Sequence, residues 1–452
     1  PLYFPVEVAH QPSLRMHTQE PAQATRNVPQ ILPRLLVWCY VALLILTMSF
    51  WLRFLMKEPS VLAYAWNRDF ASVYVGARAV ASGRGFQLYD LGVQRALMDT
   101  ATRPYHRRNL LPFIYPAYVA VLLAPLGKLP LSTAFVLWTG INLLATAWTA
   151  KQLVGYGCIS PRQRAALLVA FLLWTPLQLT LIEGQFGLVC TLGLTQALIS
   201  LQAGKPARAG CWLALGLLKP HLLAFPLVAL CLWRCWRTIG TFLIASAIAF
   251  GISFAKLGFW IPRYLRFIAN FNSKGPEVSL YPVAMQNWRG LVFLLLGNDS
   301  SLAARALLIA LSIASLVLLV WVCRRRKDTD TSQGGSSLSL SMHLPRHWQA
   351  RFGATIVMGI LVSPYLYLHD WVLAAPAFIA LFHFAGGLRA RPGKALAWLI
   401  GLSPFVCFAA QFGIWPQSSH IQLVPWYMGL LVVVAASALE KGRVAHSNPV
   451  WA

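Results

Sequence analysis

Apolar runs of about 20 residues recur along this chain, parted by shorter polar intervals. A helix of that length crosses a hydrocarbon core of about 30 Å. The runs fall at 36–55, 131–150, 163–182, 186–203, 209–233, 238–257, 301–323, 352–386, 395–412 and 423–439, with a shorter one at 113–125. The pattern predicts an all-α polytopic membrane protein with roughly 10–13 transmembrane helices in one domain over 35–440. The longest polar interval, 57–110, follows the first run and contains Asp69. Within it, 72–82 and 91–100 read as short amphipathic helices lying along the membrane surface, with Gly83 and Gly85 breaking the chain between them.

Basic clusters orient the spans. Lys205/Arg208, Arg234/Arg237, Arg324-Arg-Arg-Lys327, Arg389/Arg391/Lys394 and Lys441/Arg443 all lie between or beyond apolar runs, where the positive-inside rule places them in the cytoplasm. With both 205–208 and 234–237 inside, 209–233 has to enter and return, so two short helices broken at Lys219-Pro220 are expected. The same reasoning, with Arg162 and Arg164 inside, forbids two ordinary spans in 112–150, and leaves open which piece is short. The N-terminal tail (1–34, polar, proline-containing, with no recognisable signal peptide), a Ser/Thr/Gly-rich linker within 324–350 and the tail 441–452 are read as cytoplasmic. Four polar features then meet on the outer face: the Asp69 interval, Glu183-Gly-Gln185, the loop 258–288, and Tyr367-Leu-His-Asp370.

Composition agrees with a membrane setting. The chain is 58% hydrophobic and only 11% charged, with too little polar surface to cover a soluble globule. Its net charge of +25 would suggest nucleic acid in a soluble protein, but here the bases flank apolar runs and meet lipid head groups, so no nucleic-acid partner is expected. The eight cysteines contain no Cys-x-x-Cys, and Cys231 and Cys235, one helical turn apart, read as packing.

Among only 13 acids, Asp69, Glu183 and Asp370 stand at the ends of apolar segments, where an ionisable group marks a functional site by default. Each has a plain alternative: Asp69 as N-cap of the helix near Ala71, Glu183 paired with a nearby base, Asp370 capping Trp371 onward. Lys219, in Gly216-Leu-Leu-Lys-Pro-His221, sits mid-run, where its charge calls for an anion and a phosphate is the natural partner; a snorkelling lysine on a broken helix is the alternative. His221 and His369 could each hydrogen-bond a sugar or phosphate. Asn287 and Arg289, in Met285-Gln-Asn-Trp-Arg-Gly290, lie where an outer loop re-enters the membrane. No Walker loop, nucleophile elbow, His-Glu-x-x-His or dinucleotide fingerprint occurs. An activated substrate therefore has to arrive on a lipid.

Asp69-Phe-x-x-x-Tyr74-x-x-Ala77, Gly85-x-x-x-Tyr89 and Tyr115-Pro116 ahead of Pro125-Leu126 resemble the opening of polyprenol-phosphate-sugar-dependent glycosyltransferases. Gly184-Gln185, Lys219-Pro220, Gln286-Asn287, and Ser363-Pro364 with His369-Asp370 continue the likeness in order, from about residue 36 to 440. The narrower resemblance is to glycosyltransferase family 87, the bacterial GT-C group containing the mycobacterial phosphatidylinositol-mannoside mannosyltransferases. It implies a GT-C fold with juxtamembrane helices of the first outer loop over the site, and an inverting transfer of a sugar, mannose above others, from a polyprenyl-phosphate donor to a lipid or glycan acceptor at the outer face of a bacterial plasma membrane. It implies Asp69 as the catalytic base. Lys219, Gln185, Tyr74, Tyr115, Asn287, Arg289, His369 and Asp370 are the substrate-binding candidates, and no cofactor or metal is expected. Ala117 stands where the family usually has a second proline, and Tyr365-Leu-Tyr367 precedes a single histidine. A transporter or flippase of lipid-linked glycans is the alternative, but such proteins pair their broken helices in two repeats, and only one break, at Lys219, is apparent.

Overall fold

A computed structural model describes residues 34–57, 60–106, 109–156, 161–270, 282–324, 344–345, 347–386, 391–412 and 422–444. Most of the expected N-terminal tail, residues 325–343 of the linker and residues 445–452 lie outside the described residues. Among the described residues every regular element is helical. Six of the described helices are long and apolar enough to cross a membrane: Leu131–Gly155, Trp236–Leu257, Leu302–Cys323, Leu368–Gly386, Pro392–Gln411 and Leu423–Glu440. A seventh candidate is the pair Arg164–Leu172 and Thr175–Glu183, bent by 44°. The bend falls just before Pro176, whose missing N–H is tolerated only in the first turn of a new helix.

Two kinds of helix emerge from burial. Trp236–Leu257 exposes Leu243, Ile244, Ile248 and Ile252, and Leu302–Cys323 exposes Ile309, Ile313 and Val317. In each case the exposed residues recur along one helical stripe, which is a lipid-facing surface. The inner elements are shorter. Gly187–Gln202, about 24 Å long at 1.5 Å per residue, is buried on nearly every side. So are Trp348–Val362 and the 3-10 segment Leu368–Ala374. Gly187–Gln202 packs against Leu131–Gly155, Pro206–Leu213 and Leu368–Ala374, which makes it the axis of the molecule. Its interior threonines return their protons to the helix: Thr191 and Thr195 each donate to the carbonyl four residues back, at 2.8 Å.

The stretch 209–233 forms the expected broken element. Helix Pro206–Leu213 passes through 3-10 turns Ala214–Leu218 and Pro220–Leu223 into helix Ala224–Leu232. Lys219, ahead of a proline and so excluded from the helical region, is extended at φ −140°, ψ 70°. Within 112–150 the first piece is the short one: Ala117–Leu123 has seven residues, whereas Leu131–Gly155 has 25.

In the first polar interval, a short helix Val61–Ala65 that was not expected is followed by Phe70–Ala81 and Leu91–Thr102, which form close to the expected positions. Ser60 caps the first and Asp90 the third, Asp90 accepting from the N–H of Gly92 and Val93. The middle helix differs from expectation. It is not amphipathic: nine residues, Phe70 to Ala77 and Ala79, are buried against Ala117–Leu123 and Leu126–Lys128. Small residues Ala71, Ser72, Gly76, Ala77 and Ala79 allow neighbours to approach it closely on several sides, and Gly127 lies so near that a Cβ there would stand 2.4 Å from the Ala77 carbonyl carbon. Arg78 donates to the Gly127 carbonyl at 2.9 Å.

Candidate active site

Asp69 occupies the N-cap position of Phe70–Ala81, but its side chain makes no capping hydrogen bond. The carboxylate turns instead to Gln185, whose Nε2 donates to Oδ2 at 2.6 Å. Among the described residues this is the one hydrogen-bond partner of the Asp69 side chain, which is half-buried. One oxygen is held, and the other accepts no side-chain or backbone hydrogen bond among the described residues.

Gln185 is presented by a turn that only this local sequence builds. Helix Thr175–Glu183 ends at Gly184 in the left-handed conformation (φ 64°), and the Gln185 N–H closes the turn on the Thr180 carbonyl at 3.0 Å. A Cβ at Gly184 would lie 2.8 Å from Phe70 Cβ and 3.1 Å from the Phe135 ring, so glycine satisfies both the dihedral and the space. Leu131–Gly155 fixes the turn from the other side. Trp138 Nε1 donates to the Gly184 carbonyl at 2.8 Å, and Asn142 Nδ2 to the Gln185 carbonyl at 3.3 Å. Gln185 Oε1 accepts from the Tyr115 hydroxyl at 3.3 Å. Burial, only partly offset by Lys219, pushes that hydroxyl up to about 12, so it is a proton donor at neutral pH.

Glu183 takes its plain alternative. Its carboxylate pairs with Arg68 Nη1 at 3.3 Å and accepts the Asp69 backbone N–H at 3.3 Å. Arg68 lies over the Tyr64 ring, and the Tyr64 hydroxyl donates to the Ile182 carbonyl at 2.9 Å. Sequence reasoning foresaw a base for Glu183 without identifying Arg68. Its position directly beside Asp69 was the available signal. Trp138 and Asn142 were also missed, although a buried asparagine in an apolar run is itself such a signal.

A second polar cluster is wholly buried. Lys219 Nζ pairs closely with Asp370 Oδ1, at side-chain exposures of 5% and 4%. Asp370 Oδ2 is 3.5 Å from His369 Nε2 and accepts the Tyr367 N–H at 3.4 Å. The His369 carbonyl in turn accepts from Thr180 Oγ1 at 2.9 Å, tying this cluster to the helix that carries Glu183. Lys219, Asp370 and Asp69 all act electrostatically on the Tyr115 hydroxyl. Tyr115 and Gln185 are joined to the half-buried Asp69 carboxylate by hydrogen bonds. The cation at Lys219 meets a carboxylate of the chain itself, rather than resting unneutralised.

The remaining expected residues are engaged elsewhere. The Tyr74 hydroxyl donates to the Leu129 carbonyl at 2.7 Å, within the packing of Phe70–Ala81. Asn287, fully buried, caps helix Trp288–Leu296 by accepting from the Gly290 N–H at 2.9 Å, and its Nδ2 donates to the Ser363 carbonyl at 2.5 Å. Arg289 pairs with Asp299 at 2.6 Å and lies over the Tyr365 ring. These residues secure the segment 363–365, just before His369 and Asp370. Among the described residues no three His, Cys, Asp or Glu side chains gather as a metal site.

The fold and these contacts define an all-helical, multi-pass membrane protein with a half-buried carboxylate on a short-helix loop and a buried ion pair. The sequence profile of glycosyltransferase family 87 matches residues 113–364, more than half of the chain. The chain belongs to that family. It is similar to the polyprenol-phosphate-mannose-dependent alpha-(1-2)-phosphatidylinositol pentamannoside mannosyltransferase of Mycolicibacterium smegmatis, at 27% identity over 408 residues, 83% of this chain and 84% of the relative. The enzyme of the same description from Mycobacterium tuberculosis is 26% identical over 368 residues, 75% of this chain and 74% of the relative. No solved structure matches the chain.

Proposed function

We propose that this protein is an inverting glycosyltransferase that moves a sugar, mannose as in its relatives, from a polyprenyl-phosphate donor to a lipid or glycan acceptor. The site faces the outer side of a bacterial plasma membrane. The basic loops and both termini lie in the cytoplasm, and 35–440 acts as one transmembrane domain with 57–110 as its catalytic loop. One observation carries the reading: a half-buried Asp69 carboxylate with one oxygen held by Gln185 and the other unengaged among the described residues.

In this scheme the acceptor hydroxyl oxygen attacks the anomeric carbon while its proton passes to Asp69. The bond from the anomeric carbon to the phosphate oxygen breaks, and the polyprenyl phosphate departs with the electron pair from the opposite face. A general base supplies roughly 10²–10⁴-fold. Positioning, and stabilisation of the leaving phosphate, supply the remainder. Lys219 serves the phosphate. An ammonium has three N–H donors, and among the described residues Asp370 is the one acceptor on it, which leaves two for phosphate oxygens. Asp370 and His369 hold that ammonium in place.

The test uses purified protein in lipid nanodiscs with polyprenyl-phosphate [14C]mannose and a candidate acceptor lipid. Wild type should form labelled lipid product and Asp69→Asn should lose it by roughly 10²–10⁴-fold while retaining its melting temperature. Full transfer by Asp69→Asn removes the base assignment. Movement of the donor across the bilayer of proteoliposomes, without product, would assign the chain to lipid transport instead.

A further inference from the structure

We infer that the turn Glu183-Gly184-Gln185 is a cradle that aims the Asp69 carboxylate, with Gln185 as its key positioning residue and Tyr115 as the residue that sets the orientation of Gln185. The inference rests on the base role proposed for Asp69. It replaces the expectation that Gln185 and Tyr115 bind substrate.

A free carboxylate rotates between two equivalent oxygens, and a base that must meet one hydroxyl in one direction loses rate to that freedom. Here both the backbone and the side chain of Asp69 are held, and by the same three-residue turn. Glu183 accepts the Asp69 N–H at 3.3 Å, while Gln185 Nε2 donates to Oδ2 at 2.6 Å. Gly184, at φ 64°, brings the two grips to the same side. The carboxylate can only accept, so it requires the amide nitrogen and rejects the amide oxygen. Tyr115, donating to Oε1, satisfies the other end of the amide and fixes which way round it lies. The turn is rigid, because Trp138 and Asn142 hold the carbonyls of Gly184 and Gln185, and Gln185 itself is 5% exposed. Oδ1 then faces the acceptor in a single orientation. A charge-assisted hydrogen bond of this kind is about twice as strong as a neutral one.

Three variants test this in the nanodisc transfer assay, each with separate kcat and KM for donor and acceptor, beside Asp69→Asn. Gln185→Leu should lower kcat roughly 10- to 100-fold with both KM values within about twofold of wild type. Gln185→Met keeps the size of the side chain and has no N–H to give, without setting a second carboxyl group against Asp69. It should therefore be no better than Gln185→Leu, although a residue needed only for packing would tolerate it. Tyr115→Phe is the mildest change and should cost kcat about 3- to 10-fold, again without raising KM. A wild-type kcat in Gln185→Met, with Asp69→Asn inactive, overturns the cradle and leaves the base standing. Raised KM with unchanged kcat in Gln185→Leu or Tyr115→Phe also overturns it, by placing these side chains on substrate. Full activity in Asp69→Asn would remove the underlying base role, a separate and recognisable failure.

Discussion

Replacing Lys219 by methionine removes a charge from one of the most enclosed places in the molecule while nearly preserving volume. Asp370 is then left at 4% side-chain exposure with only the Tyr367 N–H at 3.4 Å and His369 at 3.5 Å beside it. Breaking a buried pair from one side costs about 3–5 kcal/mol, because the surviving charge has lost both water and partner. At about 1.4 kcal/mol per factor of ten, this raises the local opening equilibrium roughly 150- to 5,000-fold. Cys190 reports that opening. It is 1% exposed, on the central helix Gly187–Gln202, and its thiol donates to the Leu215 carbonyl in the turn leading to Lys219. The rate at which a maleimide modifies Cys190, followed by peptide mass spectrometry, should rise in that proportion in Lys219→Met. Removing both charges, as in Lys219→Met with Asp370→Leu, should bring the rate back to within about tenfold of wild type, since an apolar pair of similar volume is often neutral. If the single and the double variant label at the wild-type rate, the ion pair contributes nothing to stability and the buried pairing is wrong. Donor affinity separates the second role: both variants should bind polyprenyl-phosphate mannose more weakly, and unchanged affinity would remove Lys219 from the phosphate.

Two further perturbations probe the scaffold. Gly184→Ala forces a side chain into a left-handed residue 2.8 Å from Phe70 Cβ, which should cost about 2 kcal/mol or more and lower both melting temperature and transfer rate; an unchanged melting temperature would contradict the turn described. Asn287→Ala deletes a fully buried helix cap and the link to Ser363, a loss of about 1–3 kcal/mol visible in thermal unfolding in detergent, and wild-type stability would refute its capping role.

Hydrophobic run length located the apolar helices, because crossing a bilayer is a one-dimensional constraint written in consecutive residues. Against the roughly 10–13 spans expected, only six described helices, or seven with the bent pair, are long enough to cross, since runs such as 186–203 and 352–386 contain shorter, buried helices. The break at Lys219-Pro220 was legible for a similar reason: proline acts on its immediate neighbour. Phe70–Ala81 was legible as a helix but not in its surroundings, since small residues say that something packs closely without saying what. The site divided in the same way. Asp69, Glu183, Lys219 and Asp370 could be singled out because charge is scarce and costly near lipid. Who holds whom could not, since Asp69 with Gln185 and Lys219 with Asp370 are pairs separated by 116 and 151 positions. Tyr74 and Asn287 show the opposite limit: a motif gives the residue its place, but only the neighbouring carbonyl of Leu129 or Ser363 tells that its polar atoms are already occupied.

The similarity to the family profile begins at residue 113, yet the carboxylate that the turn 183–185 grips lies well upstream of that boundary. Asp69 and the residue that grips it stand 116 positions apart, so two distant stretches of polypeptide have to stay matched. A chimera that exchanged only residues 57–110 would part the acid from its clasp, so in this chain the loop and the turn form one transplantable unit.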